Sequence, residues 1–130
     1  MAFSDPIADL LTRIRNAKIA KNRYVDIDLT KLKLNIVKIL KQKGFVDQFL
    51  VDDEKRKLRI FLKYNIDRES IITGLRRISS PGLRRYVGYQ DIPRIMGGLG
   101  MAIVSTSQGV VDGETARKQK LGGELLCLIW

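Results

Sequence analysis

Residues 30–64 read TKLKLNIVKILKQKGFVDQFLVDDEKRKLRIFLKY, and the spacing of their apolar residues changes once, at Gly44. Before Gly44 the apolar residues recur at the intervals of one helix face: Leu32, Ile36, Ile39 and Leu40. Thr30 is suited to cap the start of this helix, and a glycine is a natural end for it. After Gly44 a charged segment separates two predicted strands, 45–51 and 58–64. A helix followed by an antiparallel hairpin predicts an α+β chain.

The residues before this stretch predict another helix and a short strand. Asp5 can cap a helix that begins at Pro6, because proline is well tolerated at the first helical position. The apolar residues that follow form one stripe: Ile7, Leu10, Leu11 and Ile14. Residues 24–27 predict a short strand between the two helices. The first lobe, residues 1–65, is therefore predicted as two helices packed on a small sheet.

The remaining residues, 66–130, predict a second lobe that is mainly β and carries a short helix. β-branched residues predict a strand over 71–78, Pro81-Gly82 a turn, and residues 83–89 the partner strand. Further along, the pattern predicts a helical turn over 91–96, a strand over 101–105, a basic helix over 114–120 and a strand over 124–130. The fold class is α+β with two small lobes.

The composition of the chain excludes several classes of function. The 130 residues carry a formal charge of +10, with no histidine and one cysteine. Imidazole-dependent catalysis, histidine metal sites and disulfides are therefore excluded, and a single cysteine fits a reducing cytosol. No apolar run is long enough to span a bilayer, and we expect no signal peptide and no membrane partner. The charge indicates a polyanionic partner.

Glycines 97, 98 and 100 suggest a phosphate-binding loop at first sight. The segment Gly97-Gly98-Leu99-Gly100 lacks both the lysine ending of a P-loop and the spacing of a dinucleotide turn. We therefore expect structural glycines at the entry to a strand, and no cofactor.

Ser105, Thr106 and Ser107 form the most informative polar cluster. Three adjacent hydroxyls just past a predicted strand can donate to or accept from a base edge, a phosphate or a ribose hydroxyl. An ordinary serine–threonine turn explains the same residues. A catalytic serine would need a lysine or a carboxylate as its base, and nothing in the spacing supplies one.

Two further segments could contribute to binding. In Gly122-Gly123-Glu124, the glycines allow another backbone to approach closely. Glu124 could accept from a base amino group or a ribose hydroxyl, or hold a neighbouring arginine in place; a helix stop and a surface carboxylate remain an equal alternative. Arg84 and Tyr86, on an extended segment, could contact phosphate and stack on a base or ribose, although plain surface strands share this pattern.

Six segments, read together, resemble the bacterial-type small-subunit ribosomal protein eight family. They are residues 5–16 (DPIADLLTRIRN), 80–84 (SPGLR), 98–100 (GLG), 104–107 (VSTS), 116–118 (ARK) and 121–124 (LGGE). The order and spacing match those of the family from the first helix to the last strand. VSTS and LGGE together carry most of the specificity of this resemblance.

The resemblance implies a structural constituent of the small ribosomal subunit that has no enzymatic activity. It implies a primary binder of the subunit's rRNA, which docks on an irregular helix of the central domain and helps to assemble it. The residues to which it assigns RNA-binding roles are Ser105, Thr106, Ser107, Gly122, Gly123, Glu124, Arg84, Tyr86 and Lys31.

The resemblance also implies partners and a location. Neighbouring small-subunit ribosomal proteins are expected partners, and some members of the family also bind the messenger RNA of their own operon. The protein is expected to be monomeric when free and to work in cytoplasmic ribosomes, with an organellar ribosome left open. Two other functions stay open: a binder of nucleic acids or acidic membranes through net charge alone, and a serine hydrolase built on Ser105 or Ser107.

Overall fold

A computed structural model describes residues 5–130, which form two compact units. One unit is Asp9–Thr73, and the other is Gly74–Trp130 together with residues 5–8. The boundary between the two units, after Thr73, lies eight positions later than the lobe boundary predicted from the sequence, after residue 65. That the lobes are separate domains stays a prediction, and the first four residues of the predicted N-terminal lobe lie outside the described residues.

The unit Asp9–Thr73 contains most of the first helix, a second helix and a three-stranded antiparallel sheet. The elements are α1 (Pro6–Ile19), β1 (Tyr24–Asp28), α2 (Lys31–Gln42), β2 (Val46–Asp52) and β3 (Lys57–Leu62). The strand order is β1-β3-β2. Both helix starts are confirmed: Asp5 accepts from the Ala8 amide at 3.1 Å, and Thr30 from the Lys33 amide at 3.2 Å. Helix α2 packs on β2.

The buried face of α2 differs slightly from the predicted one. Val37 is fully buried, whereas Leu32 is only half-buried. Lys33 is also buried, with its ammonium 4.0 Å from a carboxylate oxygen of Asp9. A lysine can pack its apolar stem in this way while its charged end reaches a partner, which the apolar spacing alone does not indicate.

The unit that contains Gly74–Trp130 is built on a five-stranded antiparallel sheet. Its elements are β4 (Leu75–Arg77), β5 (Tyr86–Val87), β6 (Met101–Thr106), β7 (Gly109–Asp112), α3 (Gly113–Lys118) and β8 (Gly123–Ile129). The order is β4-β8-β6-β7, and β5 also pairs with β8. Helix α3 packs on β6, and Ala116 belongs to a buried cluster with Ala102 and Val104. The α+β class and the mainly β second part are confirmed.

The predicted hairpin of residues 71–78 and 83–89 is wrong. Strands β4 and β5 do not pair with each other; both pair with β8, at successive positions from Ile129 back to Gly123. The turn at Pro81-Gly82 exists, but it closes only the pair Ser80 and Leu83. The turn signal is local, whereas β4 and β5 pair with the apolar strand β8, whose paired residues lie 36 to 54 positions later in the chain.

Two other local predictions need correction. The helical turn expected over 91–96 is replaced by short 3₁₀ turns at Tyr89–Asp91 and Met96–Gly98. Ile92 is extended, at φ −67° and ψ 122°, because Pro93 disfavours a helical residue before it. The strand β7 was not predicted. Among the described helices, none has both the length and the apolar character needed to cross a lipid bilayer.

Candidate functional site

The hydroxyl cluster lies at the hairpin that joins β6 to β7. Ser105 and Thr106 are the last residues of β6, and Ser107 begins a two-residue connection to Gly109. The Thr106 hydroxyl donates to the Gly109 carbonyl at 2.8 Å and accepts from the Gln108 amide at 3.1 Å. Gly109 has φ +109°, a conformation that favours glycine. The middle hydroxyl therefore closes the hairpin, as the alternative of a serine–threonine turn predicts.

The hydroxyls on either side of Thr106 are placed differently. Ser105 is half-buried and Ser107 is exposed. Within residues 5–130 neither hydroxyl takes part in a hydrogen bond. A hydroxyl can both donate and accept, so these two groups are available to a ligand at the end of the sheet.

A row of side chains crosses the sheet beside this hairpin. Glu124 of β8 pairs with Tyr86 of β5 on one side and with Ser105 of β6 on the other. Directly paired residues of neighbouring antiparallel strands project to the same face. Tyr86 is 71% exposed. The fold thus brings a phenol, a carboxylate and a hydroxyl to one surface. These groups belong to three of the predicted site residues, Tyr86, Glu124 and Ser105.

The Glu124 carboxylate is held by two donors on one of its oxygens. Oε2 accepts from the Ser79 hydroxyl at 2.5 Å and from the Arg84 guanidinium at 2.9 Å. The side chain is 16% exposed. Within the described chain Oε1 accepts no hydrogen bond. The alternative in which Glu124 holds a neighbouring arginine is therefore realised, and one carboxylate oxygen is left for a ligand.

The charge on Glu124 is stabilised in the folded protein. Burial alone raises the pKa of its carboxyl. The hydrogen bonds from Ser79 and Arg84, with the positive charges of Arg84 and Arg77, outweigh burial and bring that pKa below its ordinary value of 4.5. The acceptor stays ionised at neutral pH.

We expect Glu124 to contribute stability that depends on pH. Because its pKa is lower in the folded than in the unfolded chain, its contribution is present above pH 4.5 and is lost as the pH falls through the folded pKa. Urea midpoints measured from pH 7 to pH 3 should fall less for Glu124→Gln than for the parent. Identical pH profiles would show that the ionised carboxylate does not contribute to the free energy of unfolding.

The segment between β4 and β5 presents Arg84. Ser80 and Leu83 exchange backbone hydrogen bonds at 3.1 and 3.0 Å. The fully buried Ser79 closes the base of this loop, since its hydroxyl accepts from the Arg85 amide at 3.1 Å. Sequence reasoning missed Ser79. A serine before a Ser-Pro-Gly turn is a weak local signal, and its partner Glu124 is 45 residues away.

The two glycines before Glu124 allow close packing within the sheet itself. A Cβ on Gly123 would overlap the carbonyl of Ser105, and one on Gly122 would lie 2.5 Å from the carbonyl oxygen of Val87. The close backbone approach predicted for this segment is thus made by the chain's own strands. Val87 lies on β5 and Ser105 on β6, so the two glycines allow both strands to lie close to the chain beside Glu124.

Lys31 lies in the other compact unit, Asp9–Thr73, and is described with that unit alone. It is the first residue of α2, directly after the Thr30 cap, and it is exposed. Other cations of this unit have acidic partners: Arg59 pairs with Asp26 at 2.8 Å and Lys57 with Asp28 at 2.6 Å. Lys31 has no ion-pair partner among residues 5–130.

The described residues hold neither a metal-binding cluster nor an exposed thiol. No group of three or more cysteine, aspartate or glutamate side chains between residues 5 and 130 is arranged to hold a metal ion. Cys127 is buried, and burial raises the pKa of its thiol to about 12, so it remains a protonated, apolar side chain. The candidate site is therefore a hydrogen-bonding surface.

Known proteins resemble the chain along its whole length. A family described as Ribosomal protein S8 matches residues 5–130. The "Small ribosomal subunit protein uS8" of Protochlamydia amoebophila (strain UWE25) is 54% identical over 133 residues, covering 100% of both chains. The protein of the same name from Chlamydia pneumoniae is 53% identical, covering 98% of this chain and 97% of its own. That from Desulforudis audaxviator (strain MP104C) is 50% identical, with 98% and 99% coverage. The chain belongs to the ribosomal protein S8 family.

Proposed function

We propose that the protein is a structural constituent of the small ribosomal subunit that binds small-subunit rRNA directly. Family membership supports the first part. The observation that carries the second is the row at the end of the β8 sheet, where Tyr86, Glu124 and Ser105 share one face. The proposed target is an irregular helix in the central domain of the rRNA, whose assembly the protein assists.

An irregular helix suits this surface because a regular A-form helix hides its base edges in a narrow groove. Where bases are displaced, their amino groups and the ribose 2′-hydroxyls become accessible. Glu124 Oε1 would accept from such a donor, and the hydroxyls of Ser105 and Ser107 would donate to or accept from base edges and riboses. The exposed ring of Tyr86 would stack on a base or a ribose.

Positive charge would supply affinity without sequence preference. The chain carries a formal charge of +10, and each cation that neutralises a phosphate makes binding weaker at higher salt. Arg84 is 48% exposed even while it is bound to Glu124, so it can also face a phosphate. Lys31 would make a phosphate contact from the unit Asp9–Thr73. Hydrogen bonds that recognise the RNA site and charges that attract its phosphates are thus assigned to different residues.

The other proposed properties follow from this role. The protein would be monomeric when free, would contact neighbouring small-subunit proteins in cytoplasmic ribosomes, and would have no catalytic activity. Binding to its own operon's messenger RNA would be a second use of the same surface. The structure gives no support to a serine hydrolase, since neither Ser105 nor Ser107 is hydrogen-bonded to a base among the described residues.

A filter-binding titration tests the proposed function. The probes are a hairpin with the irregular central-domain helix of small-subunit rRNA and a fully paired RNA duplex of the same length. At moderate salt we expect tighter binding to the hairpin by a factor of at least 10³, the lower end of specific nucleic-acid recognition, or roughly 4 kcal/mol. Equal affinity for the two RNAs, or equal binding to acidic vesicles, would instead favour a binder that uses net charge alone.

Replacing Ser107 by alanine should weaken binding to the hairpin by about 1–3 kcal/mol, because groups on the RNA lose their hydrogen-bond partner. Affinity for the regular duplex should not change. Thr12→Ala is the matched control, since Thr12 is an exposed hydroxyl on α1 within the other unit. If Ser107→Ala binds the hairpin as tightly as the parent does, the hairpin loop has only a structural role.

A further inference from the structure

The hydroxyl of Ser79 connects two parts of the C-terminal unit that carry proposed RNA contacts. It donates to Glu124 Oε2 at 2.5 Å, and it accepts from the Arg85 amide at 3.1 Å. Its own amide donates to the Leu125 carbonyl at 3.1 Å, so the residue is fixed against β8 at the position after Glu124. Ser79 is fully buried and cannot touch RNA itself.

The two donors to Glu124, Ser79 and Arg84, share one carboxylate oxygen. Oε2 accepts from both Ser79 and Arg84, whereas within the described chain Oε1 accepts from neither. Arginine commonly binds carboxylates through both oxygens at once. Without the Ser79 donor, the carboxylate would be free to turn toward Arg84 and form such a two-point pair, which would occupy Oε1.

The same hydroxyl also fixes the loop that presents Arg84. The Arg85 amide donates to Ser79 Oγ, and the Arg85 carbonyl accepts from the Leu125 amide at 2.9 Å. The loop therefore leaves the sheet at Ser79 and rejoins it at Arg85. Arg84 lies between these two anchors, next to the carboxylate that it binds at 2.9 Å.

We propose that Ser79 is a positioning residue for RNA specificity, which keeps Glu124 Oε1 available and Arg84 on the opposite oxygen. The inference rests on the proposed function, because Oε1 is the atom assigned to an RNA donor there. It adds a residue that does not contact the ligand, and it predicts that Ser79 acts through Glu124.

A double-mutant cycle tests this inference with the irregular central-domain hairpin and the paired duplex as probes. Ser79→Ala should weaken binding to the hairpin by about tenfold or more, the usual range for loss of a hydrogen bond to a charged group. Its affinity for the duplex should not change. In a Glu124→Ala background the same change should alter hairpin affinity by less than about twofold, because no carboxylate remains to be positioned.

Three outcomes would overturn the inference. They are unchanged hairpin affinity in Ser79→Ala, an equal loss on both RNAs, or a full Ser79→Ala effect in the Glu124→Ala background. The last two would indicate that the serine only supports folding. If Ser79→Ala unfolds, Ser79→Cys keeps an X–H group that is larger than the hydroxyl and a much weaker donor, and it gives the same comparison.

A second readout does not involve RNA. Carbon-detected NMR titration of the Glu124 carboxyl should show a higher pKa in Ser79→Ala than in the parent, since a donor to the ionised form is lost. If the parent binds the hairpin and the duplex equally, the proposed function fails, and this titration still decides whether Ser79 controls the carboxylate. An unchanged pKa would overturn the positioning role.

Discussion

Gly123→Ala is expected to cost about 3 kcal/mol or more in the free energy of unfolding, at the upper end of what overpacking one site costs. A Cβ at this position would overlap the carbonyl oxygen and carbon of Ser105 on the neighbouring strand. Both atoms belong to the backbone of β6, so they can move only if the pairing of β6 with β8 is disturbed. Urea unfolding followed by the fluorescence of Trp130, the only tryptophan, reports on this unit.

Gly82→Ala is the matched control for this substitution. A Cβ on Gly82 would have no atom within 4 Å, and its backbone is outside the left-handed region. The free energy of unfolding should change by less than about 0.5 kcal/mol, as is usual for a surface substitution. If Gly123→Ala and Gly82→Ala have the same stability, the close approach of β8 to β6 is not required for the fold.

Glu124→Ala is expected to cause the largest loss of RNA affinity among single side-chain truncations, about 2–4 kcal/mol for the irregular hairpin. The change removes the proposed acceptor Oε1 and frees Arg84. It also leaves the buried hydroxyl of Ser79 without its acceptor, which should lower the free energy of unfolding by about 1–3 kcal/mol. Titration of both RNAs, with urea unfolding of the same sample, separates the two losses.

Glu114→Ala controls for the loss of one negative charge. Glu114 lies on α3 in an exposed pair with Lys118, at 3.3 Å and one helical turn away. Exposed pairs of this kind contribute little to stability. We expect its hairpin affinity to match that of the parent. If Glu114→Ala and Glu124→Ala weaken hairpin binding equally, net charge rather than the position of the carboxylate controls recognition.

The helices α1 and α2 could be predicted because their signals are local. Asp5 and Thr30 each cap a helix through an amide three residues later, and the buried faces recur at helical intervals. The hairpin of β2 and β3 could be predicted equally well, since the charged segment between the strands is short. Each of these predictions depends on residues that are close in sequence.

The strand pairing of the second unit could not be predicted in the same way. Residues 71–89 contain a true turn signal at Pro81-Gly82, yet their partner is β8. Pairing with β8 puts Leu75 next to Ile129 in the buried part of the sheet. The gain comes from tertiary burial, which a local pattern of β-branched residues does not contain.

For the site, the RNA-binding roles of the candidate residues stay a prediction. The sequence indicated Ser105, Ser107 and Glu124 as candidates in separate segments, and the fold places Ser105 beside Glu124. It could not indicate that the Thr106 hydroxyl closes its own hairpin, because that depends on the geometry of the turn. Ser79 is defined by a contact across 45 residues and carries no sequence pattern of its own.

The central position of β8 determines when this surface can exist during synthesis. Strands β4, β5 and β6 all pair with β8, although they precede it in the chain. A nascent chain that has been made only as far as α3 has no partner for β4 or β5 and no Glu124. Because proteins are made from the N-terminus, the sheet can close only after β8 has emerged. An interrupted product therefore lacks the row of side chains that includes Glu124.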